Sequence, residues 1–190
     1  FEKYWPKAIR LIVYVDEFRP DFPIDPRIEY RLFSEVPVHT DFLLRHKNNA
    51  VARGLVPTPV WKDTCRQAGY NFRFDAVKFC NKVFAIADAT RSLSGSGVRL
   101  IWLDADVVTH KSVPISILEW VLPVGEHISY LDRGRYHSEC GIVGYDLRVP
   151  EVRAFIDRFA SAYSEDAVFK MSEWHDSFVF DQVRNSMRDK

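Results

Sequence analysis

Hydrophobic and polar residues along this chain form patterns that predict both strands and helices. Short apolar runs of the kind that form strands occupy residues 8–15, 30–33, 98–103, 128–131 and 141–145. Apolar positions at helical spacing occupy residues 74–90, 114–120 and 150–163, and a last helix begins at residue 176. Because strands and helices follow one another along the chain, we predict one α/β domain with a mixed, mostly parallel central sheet flanked by helices.

The segments between these elements carry residues that interrupt regular structure. Residues 19–26 hold three prolines, and residues 92–97 are rich in serine and glycine, so both are predicted to be loops. Residues 39–59 have a mixed pattern, with a polar turn at 46–49 and two breakers, Pro57 and Pro59. The chain begins without Met and ends within a predicted helix, so we expect a single domain that is excised from, or truncated relative to, a longer chain.

The apolar run that ends at Leu103 is followed by two aspartates, Asp104 and Asp106, separated by one residue. Burying a carboxylate is costly unless it is paired or binds a cation, so we predict that the strand ends where the acids begin and opens into a cleft. Ligands of parallel α/β sheets bind outside the carboxyl ends of the strands. Two carboxylates at such a place favour a hard divalent cation, Mg²⁺ or Mn²⁺, and through it a diphosphate.

Composition narrows the range of partners. The 190 residues are 47% hydrophobic and 14% aromatic, which is enough for a packed core, and 26 basic residues balance 26 acidic ones. This balance gives no bulk electrostatic attraction to nucleic acid or to an anionic membrane. No apolar run approaches the roughly 18 residues that a membrane span needs, and no signal peptide is recognisable.

The cysteines give no sign of a disulfide framework or a zinc knuckle. Cys65, Cys80 and Cys140 are widely spaced, odd in number and form no CxxC pair. Reduced thiols are typical of cytoplasmic proteins, and we expect this location, with any membrane attachment made through parts outside this chain.

The pair of aspartates is also compatible with two roles besides metal binding. A turn that caps a strand end uses aspartates without binding any ligand. The spacing Asp104-x-Asp106-x-Val108 fits the D-x-D-x-[T/V] loop of haloacid-dehalogenase-type phosphatases, in which Asp104 would attack phosphate and Asp106 would act as acid and base. That loop normally lies on the first strand of its fold, whereas these residues lie past the middle of the chain.

Five segments, taken in order, suggest a family. They are residues 9–15, residues 74–90, Leu103-Asp104-Ala105-Asp106, Ser138-Glu139-Cys140-Gly141-Ile142-Val143-Gly144-Tyr145, and Trp174-His175-Asp176-Ser177. Their order resembles that of GT-A-fold glycosyltransferases, and the part from Ser138 through Asp181 is similar in layout to glycogenin-like and lipopolysaccharide galactosyltransferase-like enzymes. Such enzymes carry a strand under the nucleotide base, a cationic helix, a D-x-D motif, a glycine-containing strand at the sugar pocket and an acid at a helix N-terminus.

The resemblance implies roles for the residues that match. Asp106, and Asp104 directly or through ribose and water, would hold Mn²⁺ or Mg²⁺ against the diphosphate of a nucleotide-sugar donor. Asp16 would lie near the base or the ribose. Lys82 and Arg73 would approach the ribose or a phosphate.

Two further carboxylates are implied to take part in catalysis. Asp176, at a helix N-terminus, would accept a proton from the acceptor hydroxyl or stabilise charge near the anomeric carbon. Glu139 stands where the family usually has a small residue, and it would contact hydroxyls of the acceptor or the sugar.

Several of these residues also fit plainer structural roles. Asp176 is a favoured helix-cap residue, and Lys82 fits a solvated helix face. His137 and His175 fit ordinary, partly buried histidines, and no histidine follows His175 to match the late metal ligand of many GT-A enzymes. Aromatic rings can stack on sugars, and the tryptophans in candidate positions are Trp102, Trp120 and Trp174.

The sequence therefore predicts a metal-dependent glycosyltransferase of the hexosyl type that moves a sugar from a nucleotide-diphosphate donor to a hydroxyl of a glycan or polysaccharide. Retention at the anomeric carbon is favoured, because the layout of residues 138–141 and Asp176 resembles that of retaining families. Two alternatives stay open. One is a phosphatase that uses Asp104 as its nucleophile, and the other is a non-catalytic carbohydrate-binding domain that keeps the same scaffold.

Overall fold

The computed structural model describes residues 1–17, 25–55, 69–93 and 97–188. Its strands are β1 (Leu11–Val15), β2 (Ile28–Leu32), β3 (Arg99–Leu103), β4 (Ile128–Leu131) and β5 (Glu139–Asp146). Its α-helices are α1 (Pro37–His46), α2 (Ala76–Ser92), α3 (Ile115–Val121), α4 (Pro150–Ser164) and α5 (Asp176–Arg188). Short 3₁₀ turns lie at Phe33–Glu35, Phe72–Phe74 and Ala167–Lys170.

The strands among these residues form two sheets. β1 and β2 pair in parallel, with Val15 opposite Leu32. β3, β5 and β4 form an antiparallel sheet in that order, with β5 in the middle. Leu103, the last residue of β3, lies opposite Ile142 near the start of β5. The end of β3, which leads into Asp104, and the start of β5, which carries Glu139, therefore lie side by side at one end of this sheet.

A fold that mixes helices and strands is confirmed, but a mostly parallel central sheet is not seen in the described part of the chain. β3 was expected to be a buried strand of such a sheet; it lies at an edge of the antiparallel sheet, and its residues are half-buried. An apolar run identifies a strand but carries no information about its direction. The short connection over residues 132–138 favours the antiparallel pairing of β4 with β5, because a parallel pair needs a longer crossover.

The main hydrophobic core lies between α2, α4, α5 and β5. α4 buries the apolar face that its sequence predicts, formed by Val152, Phe155, Ile156 and Phe159. Phe155 and Phe159 each meet Phe180 of α5 edge to face. Burying a phenylalanine fully contributes roughly 1.5–3 kcal/mol. This packing fixes α5 against α4 and with it the position of the first residue of α5.

α2 begins two residues later than its pattern predicts, because Phe72–Phe74 forms a 3₁₀ turn. Asp75 caps the helix, and its side chain accepts a hydrogen bond of 2.9 Å from the Lys78 backbone N–H. Most of the helix is enclosed, since residues from Ala76 to Thr90 are buried on more than one face. A polar side chain in the middle of α2 can therefore lie inside the protein.

α1 was not predicted, because residues 39–59 show a mixed pattern. The helix begins at Pro37, a position where proline is tolerated because its missing N–H has no partner in the helix. It is held by tertiary packing: Phe42 is fully buried and meets Phe84 and Tyr163 edge to face. Tertiary contacts thus decide the structure of a segment whose own pattern is ambiguous.

Some predicted features lie outside the described residues, namely residues 19–24 and 94–96 of the two predicted loops, Pro57, Pro59 and Cys65. Within the described ranges, no helix is both long enough and apolar enough to cross a lipid bilayer.

Candidate functional site

Asp104 follows directly on the end of β3, as its sequence position predicts. Its backbone N–H donates to the Gly141 carbonyl at 2.9 Å, and its carbonyl accepts from the Val107 N–H at 3.1 Å, which closes a turn. Its Oδ1 accepts a hydrogen bond of 2.6 Å from Trp102 Nε1. The neighbouring strand, the turn and the indole together fix the direction of this carboxylate.

Lys82 of α2 binds two of the predicted acids at once. Its Nζ lies 2.8 Å from Asp104 Oδ1 and 2.6 Å from Asp176 Oδ2. It also donates to the Cys140 carbonyl at 3.0 Å, so the three N–H groups of the ammonium all have partners. The Lys82 side chain is 13% exposed, and that of Asp176 is 5% exposed. The interpretation of Lys82 as part of a solvated helix face is therefore wrong.

The carboxylates of Asp104 and Asp176 stabilise the positive charge of Lys82. Burial by itself would lower the pKa of Lys82, because it disfavours the charged ammonium, but Asp176 and Asp104 outweigh this effect and raise the pKa above its usual value. Lys82 thus carries a positive charge at neutral pH. Asp176 also gains from its place at the first turn of α5, where the helix dipole favours a negative charge.

Glu139 and Asp104 both lie beside Gly141. A Cβ placed on Gly141 would lie 3.3 Å from Glu139 Oε1 and 3.5 Å from Asp104 Oδ2. Glu139 Oε1 accepts from the Gly141 N–H at 3.1 Å, and Oε2 lies 2.9 Å from Arg133 Nη1. The Glu139 side chain is 41% exposed, so it can meet a ligand that approaches from solvent.

Asp106 and Asp16 are both exposed. Asp106 lies in the turn after β3, two residues beyond Asp104 and clear of the Lys82 contacts. Asp16 follows the end of β1. Its negative charge adds to the effect of burial in raising the pKa of Cys80 of α2. Both positions leave a carboxylate open to solvent, as a ligand contact requires.

Arg73, predicted to approach the ribose or a phosphate, instead contacts a glutamate. Its Nη1 lies 2.8 Å from Glu173 Oε1, and its backbone carbonyl accepts from the Trp174 N–H at 2.6 Å. The residue therefore ties the start of α2 to the segment before α5. This role does not follow from its sequence position.

A second polar cluster, which we call the His-Glu-His cluster, consists of His137, Glu173 and His175. Glu173 Oε2 lies 2.9 Å from His175 Nε2 and 3.6 Å from His137 Nε2. His175 is buried, and this burial lowers its pKa despite the neighbouring Glu173. Sequence reasoning treated both histidines as ordinary and did not single out Glu173. The one available signal was the spacing Glu173-x-His175 directly before Asp176.

Asp181 of α5 is a further buried acid, which the sequence analysis named as the end of the segment that resembles the family but to which it gave no role. Its Oδ2 accepts from the Ser138 N–H at 3.0 Å, and its Oδ1 accepts from the Ser138 hydroxyl at 2.6 Å and from Arg184 at 3.0 Å. These contacts join the start of β5 to α5. They hold Glu139 and Asp176, one on each element, in a fixed relation.

The residues at the end of β3 provide part of a binding site for a hard divalent cation. Asp104 Oδ1 is engaged by Lys82 and Trp102, whereas its Oδ2 points towards the space beside Gly141. Asp106 adds an exposed carboxylate two residues away. The two carboxylates give the oxygen ligands that Mn²⁺ and Mg²⁺ prefer, and substrate phosphates and waters normally complete such shells.

An apolar depression lies next to the acid turn. Leu103 and Ile142, which pair across β3 and β5, line it together with Val107 of the turn and Ile117 of α3. Neither Asp104 nor Asp106 lines this depression. In a strand, neighbouring side chains point to opposite faces, so Leu103 faces away from the side on which Trp102 and Asp104 lie.

The three candidate tryptophans have different surroundings. Trp102 binds Asp104 through its indole N–H, and its ring lies 5.8 Å from Lys82 Nζ. Trp174 packs edge to face against Phe74 and, half-buried, lies against the hydrophobic core. Trp120 is 79% exposed on α3. Of the three, Trp102 touches the acids directly.

Comparison of the chain with protein-family models, with curated proteins and with solved structures found no match.

Proposed function

We propose that this chain is a GT-A-like, metal-dependent glycosyltransferase domain that moves a sugar from a nucleotide-diphosphate donor to a hydroxyl acceptor. The observation that supports it is the meeting of acids from three distant segments. Asp104 and Asp176 share the ammonium of Lys82, and Glu139 lies beside the same glycine as Asp104. Charged groups brought together from distant segments, with Lys82 and Asp176 buried, are more typical of a functional site than of a packed core.

In this proposal the carboxylates of Asp104 and Asp106 would hold the cation, with Asp104 Oδ2 available for it. When bound, Mn²⁺ or Mg²⁺ would neutralise charge on the leaving diphosphate and so favour cleavage of its bond to the sugar. Trp102 and Lys82 orient Asp104 through its other oxygen. Asp16, exposed at the end of β1, is assigned to the ribose or the base.

The two proposed catalytic acids take different parts. Asp176 is buried and bound to Lys82, so it sets the position and charge of the ammonium near the donor. Glu139 is half exposed and is better placed to receive the proton of an attacking acceptor hydroxyl. Arg73 binds Glu173 and is not assigned a donor contact in this scheme.

The proposal can be tested by measuring the thermal shift that a panel of nucleoside diphosphates causes with and without Mn²⁺. Ligand at about 100 times its dissociation constant should stabilise the protein by about 2.7 kcal/mol. We expect this gain with Mn²⁺ present and little gain without it, and the preferred base identifies the donor class. No stabilisation by any diphosphate would contradict the proposal.

The same preparation distinguishes the two alternatives. A phosphatase with Asp104 as nucleophile would bind beryllofluoride at that carboxylate, whereas our proposal predicts no such adduct because it gives Asp104 the role of a cation ligand and not of a nucleophile. A non-catalytic carbohydrate-binding domain would keep its sugar binding after Asp106→Ala, since that site would not need the cation.

A further inference from the structure

The His-Glu-His cluster lies apart from the contacts of Asp104 with Lys82. It joins the connection before β5 to the segment before α5, since His137 lies in the first and Glu173 and His175 in the second. One ligand atom from each residue lies within 4.8 Å of the others. Two imidazoles and one carboxylate facing one another in this way form the ligand set of many transition-metal sites.

We propose that the His-Glu-His cluster binds a transition-metal dication of the Zn²⁺ class through His137 Nε2, Glu173 Oε2 and His175 Nε2. Zn²⁺ binds nitrogen and oxygen at about 2.0–2.2 Å, which places ligand atoms of a tetrahedral site roughly 3.3 Å apart. The separations of 2.9 Å and 3.6 Å between Glu173 Oε2 and the two histidine nitrogens lie on either side of that value. His137 must move slightly towards Glu173, and its 37% exposed side chain leaves room for a small rotation.

Groups around the cluster are arranged to orient its ligands. Asp181 Oδ2 lies 3.7 Å from His137 Nδ1, so it favours a proton on Nδ1 and leaves Nε2 free to bind. Arg73 holds the second oxygen of Glu173 at 2.8 Å and directs the first towards the histidines. Outer partners of this kind are what metal-binding histidines and carboxylates usually have.

Binding has one local cost. The Phe178 backbone N–H donates to His175 Nδ1 over 3.4 Å, and His175 Nε2 lies 2.9 Å from Glu173. A metal on Nε2 moves the ring proton to Nδ1, so the long bond from Phe178 is lost. Bonds of that length are weak, and a metal bond replaces both contacts.

Three protein ligands leave the fourth position of a tetrahedral site open. Structural zinc sites usually have four protein ligands, whereas an open position admits water or a substrate oxygen. The His137 side chain is 37% exposed, so water can reach the cluster. His175 directly precedes Asp176, and a bound metal would also fix the start of α5. The proposal stands independently of the proposed glycosyl transfer.

Titration with Co²⁺, followed by its visible absorption, tests the site directly. We expect one equivalent to bind with the intense spectrum of four-coordinate Co²⁺, and Zn²⁺ but not excess Mg²⁺ to displace it, because imidazole ligands favour Zn²⁺. Glu173→Gln and His137→Asn should each weaken binding by at least about 10–100-fold, since even outer-shell changes cost that much. His110→Asn, at an exposed histidine, serves as the matched control and should bind as the wild type does.

Three results would overturn the proposal, and the second and third both concern variants. The first is a wild-type protein that gives no four-coordinate Co²⁺ spectrum. The second is Co²⁺ binding that survives both Glu173→Gln and His137→Asn, each checked for native circular dichroism. The third is Co²⁺ binding that is lost in Asp106→Ala. Because Asp106 belongs to the donor site alone, loss in that variant would place the metal there and not in the His-Glu-His cluster.

Discussion

The ammonium of Lys82 lies 2.6 Å from the buried carboxylate of Asp176. The two residues come from different helices, 94 positions apart in the chain. Each would be costly to bury alone, and the pair is satisfied by Asp104 and the Cys140 carbonyl as well. This ion pair links α2, β5 and α5 at the place where we locate donor binding.

Lys82→Met should therefore destabilise the fold as well as the site. The change leaves Asp176 as a buried, unpaired charge, which typically costs about 3–5 kcal/mol. Urea unfolding measures the loss. Lys78→Met, at an exposed lysine of the same helix, is the control and should stay within about 0.5 kcal/mol of the wild type. Equal stabilities for the two variants would show that the ion pair does not stabilise the fold.

The two glycines of β5 should respond differently to alanine. A Cβ on Gly144 would lie 2.7 Å from Ser129 Oγ and 2.9 Å from Leu122 Cβ, so Gly144→Ala overpacks the sheet against its neighbours. We expect a loss of about 1–3 kcal/mol in unfolding experiments. On Gly141 the nearest atom is the flexible Glu139 Oε1 at 3.3 Å, and Gly141→Ala should cost less than about 1 kcal/mol. The reverse order would contradict the packing described.

The buried cysteines should be unreactive in the native protein. Cys80 and Cys140 are almost fully buried, and burial raises the pKa of Cys140 to about 12, so little thiolate forms at neutral pH. Titration with a chromogenic disulfide should detect at most one thiol, that of Cys65, before denaturation, and all 3 cysteines afterwards. Rapid labelling of Cys140 without unfolding would mean that β5 opens readily.

Acidic pH should lower the free energy of unfolding, because Asp146 becomes protonated and loses its ionic contact with Arg148. A hydrogen bond from the Arg148 side chain lowers the pKa of Asp146 to about 2. A lowered pKa contributes stability that is present above the unfolded value near 3.8 and is lost as the pH falls towards 2. Asp146→Asn should therefore flatten the decline in unfolding free energy between about pH 4 and pH 2. An unchanged acid profile in that variant would disprove the assignment.

The elements of this chain could be predicted well where their patterns are strong. β4 has the predicted bounds, and α4 differs from its prediction by one residue, because Val152, Phe155 and Phe159 mark one continuous apolar face. Strand direction could not be predicted, since side-chain alternation is the same in parallel and antiparallel sheets. α1 was missed because Phe42 is fixed by distant aromatic partners, which local periodicity does not reveal.

The candidate site could also be predicted only in part, because local patterns are visible in the sequence and contacts between distant segments are not. Asp104 was identified because a carboxylate after an apolar strand is locally conspicuous. Lys82 was predicted to approach the ribose or a phosphate, but its burial between two acids could not be predicted because it depends on how α2 packs against α5. Glu173 was missed, and Asp181 was given no role, because their partners, Arg73 and Ser138, lie far away in the chain.

Isothermal titration of wild type and Asp106→Ala with a nucleoside diphosphate is the decisive test of the proposed donor site. Asp106 is exposed, so its loss should leave the fold intact, and Glu126→Ala, at another exposed acid, provides the control. We predict Mn²⁺-dependent binding to the wild type and the control, with an affinity at least about 100-fold lower in Asp106→Ala, equivalent to about 2.7 kcal/mol. Binding that is the same in all three proteins, or that does not depend on Mn²⁺, would contradict the proposed metal-dependent donor site.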